Sequence, residues 1–412
     1  MRKQKPHEDC DFYRNVYDIK AIAATGKSVI RAMGSRKRMP FSFEDLHFVP
    51  TQVFRIPKNK EEPVNTAVII GPRAKKPLEA PIPILISGMS FGAVSRNVRI
   101  IISQVAAQDN VVFNSGEGGV LPEELESSNR LIVQYSSGRF GITEELLKKS
   151  AAVEIRFGQG AYPGKGSILP ATKMTHEVAE IRGLEPGEDS YSPAHHSDMT
   201  TPDEIRKKIG WLRTLTKGVP IGAKIGCGNI EQDIGTLLET GVDFIAIDGF
   251  GGGTGATDYC VRENVGIPLA AALPRAVRYL KQREMRDQIS LIADGNLRTS
   301  ADMVKCLALG ADAVYIGTAA LIAINCEQYR ICDTGLCPTG VTTQDPVLAQ
   351  QCRVDEGIRK LSNFIRVTTE EIAMLTRIVG KNDIHHLGPE DMVALTRDMA
   401  HIAGCRWVGG EQ

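Results

Sequence analysis

Three cysteines crowd the stretch NCEQYRICDTGLCPTG, residues 325–340. Cys326, Cys332 and Cys337 are spaced C-x5-C-x4-C. Three soft thiolates with no near fourth suit an iron–sulfur site. A structural zinc site wants a fourth ligand, and Cys352 is the candidate. The other cysteines, Cys10, Cys227, Cys260, Cys306, Cys352 and Cys405, are scattered and read as small core residues or reduced surface thiols. Just upstream, ADGNLRTSADMVKCLALGADAVYIGTAAL (293–321) places Gly295 after one apolar run and Gly317-Thr318 after the next. Glycine turns followed by helix starts can bind a phosphate. A second glycine-rich loop, DGFGGGTGATDYC (248–260), offers Gly252, Gly253 and Thr254 to a flat ring or a phosphate. Lys224 sits inside the apolar run GAKIG, and a buried lysine needs a partner or a task. In a flavin site, that task is to stabilise negative charge on the reduced ring. The small residues around Met89 in ISGMSFGAVS (86–95) suit backbone contacts to such a ring. His195 and His196 in SPAHHSDM (192–199) lack a third ligand at helical spacing, so they read as a polar loop over the active face.

The elements that must position these residues repeat. Eight apolar runs, at 82–88, 110–116, 130–136, 152–158, 219–226, 241–249, 288–295 and 311–318, alternate with amphipathic helical stretches. That pattern predicts a parallel sheet, and eight such units predict a TIM (β/α)8 barrel; a doubly wound sheet is the alternative. The strand ends carry Gly, Ser, Asp or Thr, on the face where a barrel keeps its active site. Residues 1–80 read as an N-terminal extension, 81–345 as the barrel, and 346–412 as a C-terminal helical tail. Across 412 residues the formal charge is zero, which gives no argument for nucleic acid or an anionic membrane as partner. No apolar run reaches a membrane span, and no apolar core follows the basic N-terminal residues as in a signal peptide. A cytoplasmic location is expected.

SGMSFGAVS, NSGEGG, QYSSGRFGIT, GQGAYPGKG, DGFGGGTGAT, ADGNLRTSADMVKCLALGADAV and the cysteine trio occur in this order. Together they resemble the FMN-binding synthase domain of glutamate synthase, over roughly residues 80–345. The resemblance implies a TIM barrel carrying FMN and a [3Fe–4S] cluster on Cys326, Cys332 and Cys337. It places the FMN phosphate at Gly295, Gly317 and Thr318. It places the ring near Ser87, Met89, Ser90, Gln134 and Lys224, beside the loop of Gly252, Gly253 and Thr254. It assigns Glu117, Arg156, Gln159 and Arg182 to the substrate, with Glu117, Gln159 and Lys224 at the chemistry. The implied reaction reduces an imine of 2-oxoglutarate and ammonia to glutamate.

The substrate loop departs from the family. QGAKPGEGGQLPG there is QGAYPGKGSILPA here, residues 159–171. Tyr162 stands for a lysine and Ile168 for a glutamine, so a cation is expected to be lost at the substrate end, with Lys165 supplying one elsewhere. An altered amine or keto acid follows, with N-methylglutamate synthase as the alternative. The chain shows no amidotransferase segment, no glycine-repeat β-helix and no NAD(P)H fingerprint. The expected partners are therefore a separate glutamine amidotransferase-like subunit, a glycine-repeat β-helix subunit, and an external electron donor, either ferredoxin or a reductase. Two other readings compete. One is an FMN oxidase or inosinate-dehydrogenase-like barrel using Cys260. The other is a non-catalytic electron-transfer subunit.

Overall fold

The computed structural model describes residues 11–127 and 129–410; Cys10 lies outside them. Eight parallel strands close into a barrel: β1 (Ile84–Ile86), β2 (Phe113–Asn114), β3 (Leu131–Tyr135), β4 (Ala152–Arg156), β5 (Ile221–Gly226), β6 (Phe244–Asp248), β7 (Ser290–Asp294) and β8 (Ala313–Ile316). Val314 of β8 pairs with Ile84 of β1, which seals the ring. Each strand falls within one of the eight apolar runs. Nearly every strand residue is buried, because a barrel covers both faces of its sheet.

Helices return the chain from one strand to the next, and their starts are written locally. Thr201 and Glu204 form a capping box before Pro202–Leu215, with Pro202 in the first turn. Thr299 and Asp302 do the same for Ser300–Ala308. Val354–Ile378 buries Leu361, Ile365, Thr368, Ile372 and Thr376, spaced three to four residues apart. That stripe packs the helix against the barrel helix Arg96–Asp109.

The two flanks meet. Met392–Ala394 forms the middle of a small sheet, with Leu46–Phe48 on one side and Arg406–Trp407 on the other. Residues 30–34 travel further, to the top of the barrel. Ile30–Arg31 pairs antiparallel with Thr257–Asp258, and the Met33 N–H donates to the Thr254 carbonyl at 2.7 Å. No described helix is long and apolar enough to cross a membrane.

Candidate active site

One large cavity opens at the C-terminal ends of the strands. Lys224, from β5, is at its centre. Its Nζ pairs with Asp294 Oδ2 from β7, lies 3.4 Å from Asp248 Oδ2 of β6, and donates to Ser87 Oγ at 3.1 Å. Ser87 Oγ donates in turn to Asp294 Oδ2 at 2.6 Å. Burial opposes the Lys224 charge, but Asp294 and Asp248 outweigh it and hold the amine above its ordinary range. Burial, then Asp294, pushes the Asp248 carboxyl up. The buried strand lysine is therefore one member of a three-residue charge cluster.

Beneath it lies a second buried group. Glu154 of β4 accepts from Asn114 Nδ2 at 2.8 Å and Gln134 Nε2 at 2.9 Å on one oxygen, and from the Tyr315 hydroxyl at 3.1 Å on the other. At the wall, Arg99 ties the following loops together. It donates to the Met89 and Ser115 carbonyls and pairs with Glu124 at 2.7 Å.

The far end of the cavity is cationic. Glu117 pairs with Arg156 at 2.8 Å and accepts from Ser136 Oγ at 3.0 Å and Ser167 Oγ at 2.6 Å. Burial would raise its pKa, yet Arg156 and Ser167 pull it below the usual carboxylate value. Arg182 is buried, donates to the Phe91 carbonyl at 3.1 Å, and is pushed down to about 10 by burial. Lys173, also buried, donates to the carbonyls of Ala93 at 2.7 Å and Cys332 at 3.2 Å. Burial pushes it down to about 8.

Ser87, Met89, Ser90, Glu117, Gln134, Arg156, Gln159, Arg182, Lys224, Gly253, Thr254, Gly317, Thr318, Cys326 and Cys332 all line this one cavity. Gly252, Gly295 and Cys337 do not. Gly295 supports the wall instead: its φ is +117°, and a Cβ there would stand 2.6 Å from the Gly249 nitrogen. The Gly252 carbonyl accepts from the Tyr162 hydroxyl at 2.9 Å.

That bond corrects the expectation for the altered loop. Tyr162 does not face the substrate end. It is fully buried and fastens the 159–171 segment to the glycine-rich loop. Lys165 pairs with Asp258 at 2.8 Å, outside the cavity, so it restores no cation there. Lys173 is a buried amine of the cavity wall, but it is held by the Ala93 and Cys332 carbonyls, on the side of the cysteine loop. Ile168 does line the wall. Of the two histidines, His195 is exposed, whereas His196 is buried with Nε2 at 2.9 Å from the Arg156 carbonyl.

Asp248, Asp294, Glu154, Lys173, Arg298 and Met33 were not singled out from sequence. Asp248 and Asp294 carried a signal: each is the last residue of its strand, one position before a glycine. Met33 carried none, because it reaches the cavity from the N-terminal segment.

The lining suits a flavin nucleotide. Gln134 Oε1, Gln159 Oε1 and Asp248 Oδ1 are buried acceptors without a partner, and Arg298 Nη1 is a buried donor without one. Acceptors across the barrel mouth match the donors of a flavin ring and ribityl chain. A cation after β7 matches a phosphate. The cysteines fit a cluster by donor type. Cys326 and Cys332 are raised by burial, and the hydrogen bonds of Thr339 and Thr342 outweigh burial at Cys337 and lower it. Among the described residues no three His, Cys, Asp or Glu side chains converge on one metal ion. The ligands of a three-iron cluster sit on separate irons and need no such convergence.

Residues 15–382 match the family described as the conserved region in glutamate synthase. The chain belongs to this family. It is 38% identical to a glutamate synthase large subunit-like protein of Rhizobium meliloti, over 96% of this chain and 94% of that protein. It is 39% identical to the archaeal-type glutamate synthase [NADPH] of Thermotoga maritima, over 75% of this chain but 62% of that longer protein. Among solved structures, a flavocytochrome b2 variant with sulfite bound superposes with a TM-score of 0.55 at 15% identity, covering 90% of this chain and 80% of that one. A mandelate oxidase variant with (S)-mandelic acid gives 0.51 at 15% identity, covering 83% and 84%. These structures share the barrel fold.

Proposed function

We propose that this chain is an FMN-dependent oxidoreductase of the glutamate synthase type, which reduces an imine of 2-oxoglutarate and ammonia to glutamate. The observation that carries this reading is the polarity of the cavity at the strand ends. Arg156 and Arg182 stand around one carboxylate, Glu117, at one end, and Arg298, with Nη1 unpaired, stands at the other, in the loop after β7. A dicarboxylate matches the first end and a phosphate the second. FMN, when bound and reduced, supplies hydride at its N5.

The chain's own residues do the rest. Arg156 and Arg182 hold substrate carboxylates. Glu117, kept ionised, accepts from the substrate amine and orients it. Lys224 balances negative charge on the reduced ring. Gln159, fixed by Thr254 Oγ1 at 3.1 Å and the Ala256 carbonyl at 3.2 Å, offers its oxygen to the cavity. Cys326, Cys332 and Cys337 would hold a [3Fe–4S] cluster, which would supply electrons to the flavin. Ammonia comes from a separate glutamine amidotransferase-like subunit, with a glycine-repeat β-helix subunit in the same hetero-oligomer. Electrons come from ferredoxin or a reductase, and the assembly works in the cytoplasm.

A second reading has its own observation. Ile168 and Leu169 put apolar surface in the wall beside Ser167. That surface favours an amine bearing a methyl group, as in an N-methylglutamate synthase subunit using methylamine and glutamate. The test is product analysis of the anaerobic, reduced holo-complex given ammonia or methylamine, each with 2-oxoglutarate or glutamate. Glutamate from ammonia and 2-oxoglutarate supports the first reading. N-methylglutamate supports the second. Bound flavin with no product from any pair leaves a non-catalytic electron-transfer subunit.

A further inference from the structure

Gln134 and Glu154 form a buried pair whose polarity is decided by their neighbours. An amide side chain can point either its oxygen or its nitrogen at a partner, and the surrounding bonds decide which. Here the decision starts at the Gly116 N–H, which donates to Asn114 Oδ1 at 2.8 Å. That bond turns Asn114 Nδ2 towards Glu154 Oε1, 2.8 Å away. Glu154 Oε1 is therefore an acceptor, and the amide of Gln134, 2.9 Å away, must present its nitrogen to it. The opposite orientation would set two acceptor oxygens against each other in a buried site. With its nitrogen held below, Gln134 Oε1 is buried, unpartnered, and part of a residue lining the cavity. Gln134 is 2% exposed and Glu154 0%, so water does not compete for either.

A flavin ring carries one N–H that is not on its redox-active edge: the imide N3–H, between two carbonyls. It is the ring's donor for an acceptor fixed in a wall. We propose that Glu154 is a positioning residue for the cofactor, which orients Gln134 so that its carbonyl oxygen receives the flavin N3–H. Glu154 itself stays below, bonded to Asn114, Gln134 and Tyr315. The inference rests on the FMN reading above and extends it to a residue that does not line the cavity.

The test compares FMN with 3-methyl-FMN, which lacks the N3 proton, binding to the deflavinated protein by fluorescence quenching. In the wild type the analogue is expected to bind at least about tenfold more weakly, since a buried acceptor loses its donor. Glu154→Gln should keep that ratio. Its amide oxygen can face Asn114 and Gln134 while its nitrogen faces the Tyr315 oxygen. Glu154→Met frees Gln134 to turn, and the ratio should fall below about threefold, as it should in Gln134→Met. A folded Glu154→Met protein with the wild-type ratio overturns the proposal, and so does a wild type that does not discriminate although FMN binds. Failure of the wild type to bind FMN at all overturns the functional reading instead. If Glu154→Met is not recovered folded, the holoprotein crystal structure decides at a resolution that separates amide N from O. Gln134 oxygen against flavin N3 upholds the proposal; nitrogen in that place overturns it.

Discussion

Lys224 is the residue on which the chemistry of the cavity turns, and its neighbours say what removing it does. Lys224→Met leaves Asp248 and Asp294 facing each other without their cation. Breaking a buried pair in this way costs about 3–5 kcal/mol, so the variant should unfold at lower denaturant and purify with less flavin. Equal stability and flavin content would show that the cluster is not balanced by this amine. His196 makes a second test, through pH. Burial pushes its imidazole down to about 4 from an ordinary 6.5. Between those values the unfolded chain takes up a proton and the folded protein does not. Stability from this group is complete above pH 6.5 and falls by at most about 3 kcal/mol as pH drops towards 4. Denaturant midpoints at pH 5 and pH 7.5 should differ less in His196→Gln than in the wild type; an unchanged difference would count against a buried neutral histidine. At this scale Lys224 stood out in the sequence, because a lysine in an apolar strand is conspicuous, and the structure places it in the cavity. It did not reveal Glu154, whose strand AVEIR places the carboxylate under the cavity only once the barrel closes. Nor did it reveal the direction of Tyr162, which depends on the reach of a loop 90 residues away in sequence.

The elements were more legible than the residues. Eight apolar runs with glycine and acid punctuation predict a parallel sheet, every run holds a strand, and the pairing of Val314 with Ile84 decides for a barrel over a doubly wound sheet. The N-terminal segment was less legible: a helical period runs through FYRNVYDIKAIAATGKSVIRAM (12–33), yet the helix ends at Thr25 and Ile30–Arg31 is a strand set by its packing on Thr257–Asp258. Gly34 shows how tightly. A Cβ there would stand 2.0 Å from the Gly251 carbonyl oxygen, and the Arg330 guanidinium donates to the Gly34 carbonyl at 2.9 Å. Gly34→Val should therefore lift the segment off the glycine-rich loop. An overpacked site of this kind costs about 1–3 kcal/mol, so flavin affinity measured by fluorescence should fall roughly tenfold. Unaltered affinity would mean that the segment covers the loop without supporting the cofactor.

At the scale of the whole molecule, a barrel of this family joins a large cavity at the strand ends to a loop with three cysteines. Two of the three cysteines line that same cavity, so in the proposed function electrons from a cluster on the loop would arrive beside the ring. Cys332→Ser should abolish iron–sulfur absorbance and its paramagnetic signal while the flavin bands remain. Iron-free wild-type protein, with flavin bands alone, would remove the cluster from the account. Co-purification from the native source tests the proposed partners directly. The central claim is that this cavity delivers a hydride to an imine made there from a keto acid and an amine. It is tested most directly by reducing the holoprotein without oxygen and mixing it with 2-oxoglutarate, with ammonium, and with both, while following the flavin spectrum. Rapid flavin reoxidation is expected with the two together and none with either alone. Flavin that stays reduced in the presence of both, in a protein that still reoxidises in air, would contradict it.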